Sequence, residues 1–380
     1  MNDFNTEISR QTITINGKTY TADDARATAG CFSRLQILFR KPAESDNFLA
    51  SLADFLTEWF NDEDTVSVHT SGSTGTPKKL YVEKRRMMKS AMLTVSFLRL
   101  HHGDTALLCM PLKYIAGKMV VVRALVAGLD LIPITPCGHP FQQLDIHPTF
   151  AALIPMQVFN SLQVPEECER MKAVDQLIIG GGAIDPTIVQ ALQTFPNNIW
   201  STYGMTETLS HIALRKLNGK GASEWYTPLE NVTLSQSDEG TLVIDAPWVC
   251  PERLTTNDIV VFNASGQFRV IGRKDNTINT GGVKVQIEQI EAILQPLLPL
   301  PFMVTSVPDV KFGERVVLLV QASGTSLPDN EQKKFDKAFQ YLPAYWVPKQ
   351  IILTDKLPLT ETGKPDRAKA KRIASDTNTP

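Results

Sequence analysis

Thr70 to Lys78, TSGSTGTPK, places seven Ser, Thr and Gly residues and a closing lysine in nine positions. Glycines let backbone N–H groups turn inward, hydroxyls add donors and lysine adds charge, so this composition suits a polyphosphate. The common phosphate loop runs Gly-x-x-x-x-Gly-Lys-Ser/Thr. Here Gly72, Gly75 and Lys78 are evenly spaced and Pro77 precedes the lysine, so the loop is of another kind. Composition alone also allows a flexible surface linker. The flanks argue against that, because DTVSVHT alternates like a strand and KKLYV is extended and apolar.

Five further stretches follow in order: GGGAI (Gly180 to Ile184), STYGMTET (Ser201 to Thr208), TTNDIV (Thr255 to Val260), GRKDNTINTGGVKV (Gly272 to Val285) and LPLTETGKPDR (Leu357 to Arg367). Taken singly, each has a plain reading. Tyr203 reads as a core tyrosine and Glu207 as an acid offsetting a helix dipole. Asp258 reads as an Asx-turn, Gly281 and Gly282 as a hairpin turn, and Lys364 as an exposed loop lysine.

As an ordered set over about residues 65 to 370, they resemble the adenylate-forming superfamily of acyl-CoA and aryl-CoA ligases, luciferases and peptide-synthetase adenylation domains. That chemistry needs charge control twice. A carboxylate attacks the α-phosphorus of ATP and releases pyrophosphate, and the acyl-adenylate then yields to a thiol. The resemblance implies that Thr70, Ser71, Gly72, Ser73, Thr74 and Gly75, with Lys78, hold the β- and γ-phosphates. It places adenosine against Gly181, Gly182, Ala183, Tyr203, Gly204 and Met205, the α-phosphate on Thr206 and Mg²⁺ on Glu207. Asp258 and Arg273 would take the ribose, and Asp275 would be the hinge of the small domain. Lys364 would bridge the attacking carboxylate and the α-phosphate, while Gly281 and Gly282 would admit the pantetheine arm of coenzyme A.

The chain departs from the family pattern in ways that bear on the acid. Lys79 stands for the glycine that usually follows Pro-Lys, Thr256-Asn257-Asp258 replaces Thr-Gly-Asp, and the N-terminal portion is short. In MPLKYIAGKMVVVRAL, Lys113 and Tyr114 occupy the place of Phe-His, which makes Lys113, Tyr114, Gly117, Lys118 and Arg123 the candidates for the acyl pocket. The three cations also read as surface or structural residues. A compact member with cations beside the pocket is most similar to the short o-succinylbenzoate–CoA ligases of menaquinone biosynthesis, whose substrate keeps one carboxylate while the other is activated. A retained anion buried without a partner costs several kcal/mol, roughly, so a cation should face it, and Lys118 is the first expectation. Another aryl- or acyl-CoA ligase, a stand-alone enzyme loading a carrier protein, and a non-catalytic nucleotide-binding module are the alternatives.

These residues must be held by an α/β scaffold. ESDNFLASLADFLTEWFN is apolar at helical spacing, and TALLCM, LDLIPI, TFAALI and VDQLIIGG read as buried strands that alternate with helices. After Tyr203 the sequence turns β-rich up to about Gly272. Residues 273–380 carry 15 basic against 12 acidic residues in a chain of net charge -2, a shift that supports a boundary there. The expected organisation is a large N-terminal α/β domain with layered sheets and a β-rich subdomain (1–272), then a small mobile C-terminal α+β domain (273–380) ending in a disordered ASDTNTP tail. Five scattered cysteines without a Cys-x-x-Cys pair are expected to be reduced and mostly core. The near-neutral charge gives no reason to expect nucleic acid, and no apolar run is long enough for membrane insertion. The opening MNDFNTEISR lacks a signal-peptide core, so a cytoplasmic protein is expected, with partners limited to a small carboxylic acid, ATP and coenzyme A; a homodimer is left open.

Overall fold

The computed structural model describes residues 4–22, 24, 44–69, 79–324, 326–360 and 365–377. Contacts group the chain into two compact units: Met1–Thr233 with Asp245–Arg253, and Leu234–Ile244 with Leu254–Pro380.

The first unit carries β1 (Thr12–Ile15), β2 (Lys18–Thr21), β3 (Thr65–His69), β4 (Lys79–Glu83), β5 (Thr105–Leu108), β6 (Asp130–Pro133), β7 (Phe150–Leu153), β8 (Gln176–Ile179), β9 (Asn198–Gly204), β10 (His211–Lys216) and β11 (Thr227–Pro228). One sheet runs β11-β10-β9-β8-β7-β5-β6-β1-β2, and β3 pairs separately with β4. From β1 through β6, β5, β7 and β8 to β9 every pairing is parallel. The predicted buried strands are β5 to β8, which bury residues 106–108, Leu131, Phe150–Leu153 and residues 177–179, as a parallel sheet covered on both faces requires. Strand order reverses at β5, with β6 on one side and β7 on the other. In such sheets the crevice beyond the carboxyl ends of the strands at this switch point is where a ligand fits.

Two helices of this unit explain how charge enters the core. Helix Glu44–Phe60 buries Leu52, Phe55, Leu56, Trp59 and Phe60 on one stripe, each contributing about 1.5 to 3 kcal/mol by burial. Helix Ile115–Ala127 has no polar face at all, and every residue from Gly117 to Ala127 is buried, including Lys118 and Arg123. It stops at Gly128, which takes the left-handed conformation that a side chain resists.

The second unit holds β12 (Thr233–Gln236), β13 (Thr241–Asp245), β14 (Leu254–Phe262) and β15 (Phe268–Arg273) in one sheet. β16 (Thr277–Thr280), β17 (Val283–Gln286), β18 (Phe302–Asp309), β19 (Gly313–Gln321) and β20 (Gln350–Thr354) form a second sheet, with β20 parallel to β19. Helices Ile287–Leu294 and Asp329–Phe339 pack Ile290, Leu294 and Phe335 into a core with Val304, Leu318 and Val320, giving the expected α+β character. The β-rich stretch ends at Arg273, beside the expected Gly272, but its sheet is grouped with the C-terminal residues.

One expectation is corrected. The ASDTNTP tail begins inside helix Arg367–Asp376, where Ala374 is fully buried. The described cysteines are free: Cys109 and Cys250 are buried, half-buried Cys168 packs against the core, and Cys137 is exposed. Among the described residues no helix is long and apolar enough to cross a membrane.

Candidate active site

The parallel strands bring several predicted segments to one edge of the main sheet. β5, β7, β8 and β9 end there at Leu108, Leu153, Ile179 and Gly204, so Cys109–Tyr114, Ile154, Gly180–Ala183 and Met205–Glu207 lie along a common rim. Residues 70–78 fall outside the described residues, and so does Lys364. The first segment joins β3 to β4, which pair in antiparallel register from Thr65↔Glu83 to His69↔Lys79, so a hairpin frames it rather than a linker.

Glycine at the rim has a packing cause. A Cβ on Gly180 would lie 2.2 Å from the Thr202 hydroxyl, and one on Gly204 would lie 2.3 Å from the Ser210 carbonyl oxygen. Gly181 has φ +83°, and Gly181 to Ala183 are exposed, leaving their backbone free of overlying side chains. Tyr203 is half-buried in β9, its ring edge-on to Tyr226 at 6.0 Å, and the Tyr226 hydroxyl bonds Ser201 at 2.7 Å. This is neither the core tyrosine of the plain reading nor a fully exposed one.

After β9 the chain turns sharply through a 3-10 segment, Thr206–Thr208. The buried Thr208 hydroxyl accepts from the Met205 N–H at 3.0 Å and reaches the Ser210 carbonyl at 2.8 Å, knotting the turn. Leu209 follows with φ +64°, a conformation that costs a branched side chain about 1 kcal/mol or more and is tolerated here by burying it. The result leaves Thr206 half-buried and Glu207 exposed. Among the described residues no group of three or more His, Cys, Asp or Glu side chains is positioned to hold a metal. A lone exposed carboxylate fits Mg²⁺, which binds through one or two carboxylates with phosphate and water completing its shell.

The acyl-pocket candidates separate once their partners are known. Lys113 is exposed, its ammonium 5.8 Å from the Tyr114 ring, and Tyr114 caps helix Ile115–Ala127. Gly117 is required by close approach, because a Cβ would lie 2.6 Å from the Pro111 carbonyl oxygen. Lys118, the first expectation for the retained carboxylate, is already matched: its ammonium donates to Glu58 at 3.0 Å and to the Ser67 carbonyl at 2.7 Å, beneath the Phe55 ring. Glu58 in turn accepts from the Ser67 N–H at 2.6 Å. This triangle ties helix Glu44–Phe60 to β3, the strand that leads into residues 70–78, and gives Lys118 a structural duty. Burial pushes the Glu58 carboxyl up, but the Ser67 and Lys118 hydrogen bonds outweigh it and hold it below its ordinary value.

Lys118→Ala should therefore act on stability. Breaking a fully buried pair costs about 3 to 5 kcal/mol, and with Glu58 28% exposed about 2 kcal/mol is the expected loss. A carboxyl with a depressed folded-state pKa contributes stability above its unfolded pKa that is lost as pH falls through the folded value. Removing Lys118 should accordingly cost most above the unfolded carboxyl pKa and progressively less as pH falls, flattening the acid limb of the stability profile, read by thermal unfolding across pH, with the acid's KM little changed. A large rise in that KM at unaltered stability would restore Lys118 to the pocket.

Arg123 is the opposite case. It is 2% exposed and forms no ion pair among the described residues. One Nη donates to the Ser210 hydroxyl at 2.7 Å, while the buried Nε has no partner among the described residues. Burial alone pushes its pKa down to about 9, still cationic at neutral pH. Sequence reasoning missed Glu58, Ser210 and Thr208; the Ser/Thr content around Glu207 was the available signal for the last two.

In the second unit Asp258 lies within β14, not in an Asx-turn, and faces Arg273 of β15 in register. Arg273 donates to Asp258 at 3.3 Å and to Asp275 at 3.2 Å, and Asn257 also donates to Asp275 at 3.0 Å. Asn257, which replaces the family's usual glycine, thus secures the turn Lys274–Asn276 that joins the two sheets. Gly281 and Gly282, at φ +62° and +81°, make the two-residue turn between β16 and β17, which by itself accounts for both glycines. Around residues 361–364 the stem is well held. Leu359 bridges Pro365, Asp366 caps helix Arg367–Asp376, and Arg367 makes two 2.6 Å bonds to Glu291.

This rim of glycine-lined backbone, hydroxyls and one exposed carboxylate, at the end of a parallel sheet, belongs to a nucleotide-using enzyme. The model of the AMP-binding enzyme family matches residues 19–245, and the chain belongs to that family. Its curated relatives include a probable 2-succinylbenzoate–CoA ligase of Mycobacterium tuberculosis, 27% identical, over 86% of this chain and 88% of the relative. The 2-succinylbenzoate–CoA ligase of Listeria monocytogenes serovar 1/2a is 25% identical over 84% and 72%. Among solved structures, an acyl-CoA synthetase (AMP-forming)/AMP-acid ligase II-like protein from Dyadobacter fermentans is 30% identical, covers 90% of this chain and 97% of its own, and has a TM-score of 0.58. O-succinylbenzoate coenzyme A synthetase (MenE) from Bacillus subtilis, in complex with ATP and magnesium ion, shares the fold at 18% identity and TM-score 0.65, over 80% and 68%.

Proposed function

We propose that the protein is an ATP-dependent, AMP-forming acid–CoA ligase that converts 2-succinylbenzoate to its CoA thioester. The acid's carboxylate attacks the α-phosphorus and expels pyrophosphate; the thiol of coenzyme A then attacks the acyl carbon and expels AMP. Names of relatives support the reaction. The observation that carries the substrate is Arg123, a cation buried in the helix that follows the switch point and lacking a counter-charge among the described residues, as an acid that keeps one carboxylate requires.

On this reading Gly181 to Ala183 and Tyr203 to Met205 seat the adenosine, Thr206 donates to the α-phosphate, and Asp258 with Arg273 takes the ribose. Residues 70–75 and Lys78 hold the outer phosphates, and Lys364 steadies charge at the α-phosphate. Glu207 holds Mg²⁺, which when bound neutralises phosphate charge as pyrophosphate leaves. We place the functional boundary at 272/273, with Asp275 as the hinge of a mobile C-terminal part and Gly281–Gly282 beside the pantetheine arm. The compact units describe where contacts concentrate; the hinge describes which bonds, those of Asp275 to Arg273 and Asn257, would exchange on motion.

Product mass spectrometry with ATP, Mg²⁺, coenzyme A and a panel of 2-succinylbenzoate, benzoate and medium-chain acids tests the proposal. A thioester of 2-succinylbenzoate with release of AMP is expected; preference for a monocarboxylic acid would refute the substrate. Glu207→Gln keeps shape and removes charge, so half-maximal Mg²⁺ should rise roughly 10-fold or more with the fold intact. Normal activity at low Mg²⁺ would show that the metal is held elsewhere.

A further inference from the structure

Arg123 does not stand alone in the core. Its Nη group meets the Ser210 hydroxyl at 2.7 Å, Ser210 lies 3.4 Å from His211 Nδ1, His211 Nε2 lies 3.0 Å from the Thr94 hydroxyl, and Thr94 reaches the Ser90 carbonyl at 3.3 Å. His211 and Thr94 are buried, and Ser210 is half-buried.

The proton count decides its direction. Thr94 gives its proton to the Ser90 carbonyl, so it accepts from His211, which places the imidazole proton on Nε2. Nδ1 is then an acceptor for the Ser210 O–H, and the Ser210 oxygen is free to accept from Arg123. Each hydroxyl and imidazole proton in this arrangement has an acceptor. In the other tautomer the Nε2 lone pair would face the Thr94 oxygen, while Nδ1–H and Arg123 both donated to Ser210. A protonated imidazole would create the same conflict beside a guanidinium. Burial and then the Arg123 charge hold the His211 pKa well below its ordinary value, in keeping with a neutral ring. Arg123, from helix Ile115–Ala127, is the charged group acting on it; helix Lys84–Leu98 presents Thr94, and β9 presents Gly204 across the ladder.

We propose that His211, kept as the neutral Nε2–H tautomer, is a positioning residue for acid binding: through Ser210 it fixes the Arg123 guanidinium so that its remaining N–H groups face the retained carboxylate. This rests on the substrate-binding role given to Arg123 above. His211 touches no substrate itself. It acts by making Ser210 a dedicated acceptor, so that the guanidinium is oriented before the acid arrives and loses less freedom on binding.

The full-length protein provides two tests. Nitrogen-labelled histidine, with the His211 resonance assigned by its loss in His211→Asn, reports the tautomer without any substrate. An unprotonated Nδ1 is expected; a protonated Nδ1 overturns the proposal. In kinetics, His211→Leu should raise the KM for the acid roughly 10- to 100-fold, the scale of one hydrogen bond to a charged group, while the KM for ATP stays within about 2-fold. His211→Asn, which returns an acceptor to Ser210, should recover most of that loss even where the leucine variant folds poorly. Ser210→Ala should cost as much as His211→Leu, and combining them should cost no more than either alone. Multiplying losses, or an equal rise in the KM for ATP, would reduce His211 to a packing residue. If another acid proves to be the substrate, the same cycle is run with that acid, so the relay and the identity of the substrate fail separately.

Discussion

Lys364→Ala should slow acid-dependent pyrophosphate release by at least ~10²-fold, the scale for losing one preorganised contact to developing charge. The same variant should convert chemically prepared acyl-adenylate and coenzyme A to thioester at close to the normal rate, because that step forms no bond to phosphorus. A purely structural explanation of the loss is countered by the stem on either side of residues 361–364. The Leu359–Pro365 bridge, the Asp366 cap and the paired bonds of Arg367 to Glu291 do not involve the lysine side chain. Timing pyrophosphate release and thioester formation separately distinguishes the outcomes. Equal losses in both would remove Lys364 from the chemistry of the first step and leave it a general binding residue.

Arg123→Leu should cut kcat/KM for 2-succinylbenzoate roughly 30- to 150-fold, equivalent to about 2 to 3 kcal/mol for a lost charged hydrogen bond, with the KM for ATP nearly unchanged. Its stability should move the other way from that of Lys118→Ala. Arg123 bears a desolvation cost that no counter-charge among the described residues repays, so an apolar side chain of similar volume should hold or raise the unfolding midpoint. The two cations thus make a paired test on one helix: loss of binding with stability retained at Arg123, and loss of stability with binding retained at Lys118. A strongly destabilised Arg123→Leu with normal kinetics would mean that the guanidinium serves the fold, and the case for a substrate with a retained carboxylate would lose its physical support.

Much of the architecture was legible in the sequence because it is set by short-range pattern. The apolar runs of β5 to β8, the stripe from Phe48 to Phe60 and the strands on both sides of Thr70 to Lys78 are local signals, and the structure reproduces them. The glycine pair at 281 and 282 was legible for the same reason, since both residues take the positive φ that a tight hairpin demands. The family was legible because its motifs are contiguous and ordered. What sequence could not separate were the three cations of one segment, Lys113, Lys118 and Arg123. Their types and spacing are alike, and their roles depend on what lies opposite. Glu58 reaches Lys118 from a helix far earlier in the chain, and no carboxylate reaches Arg123 among the described residues. The Ser210–His211–Thr94 chain was hidden likewise, because helix Lys84–Leu98 and β10 meet only in the folded sheet. The cost of an uncompensated charge is an energy of surroundings rather than of residue type, so tertiary packing alone decided which cation was left available to a ligand.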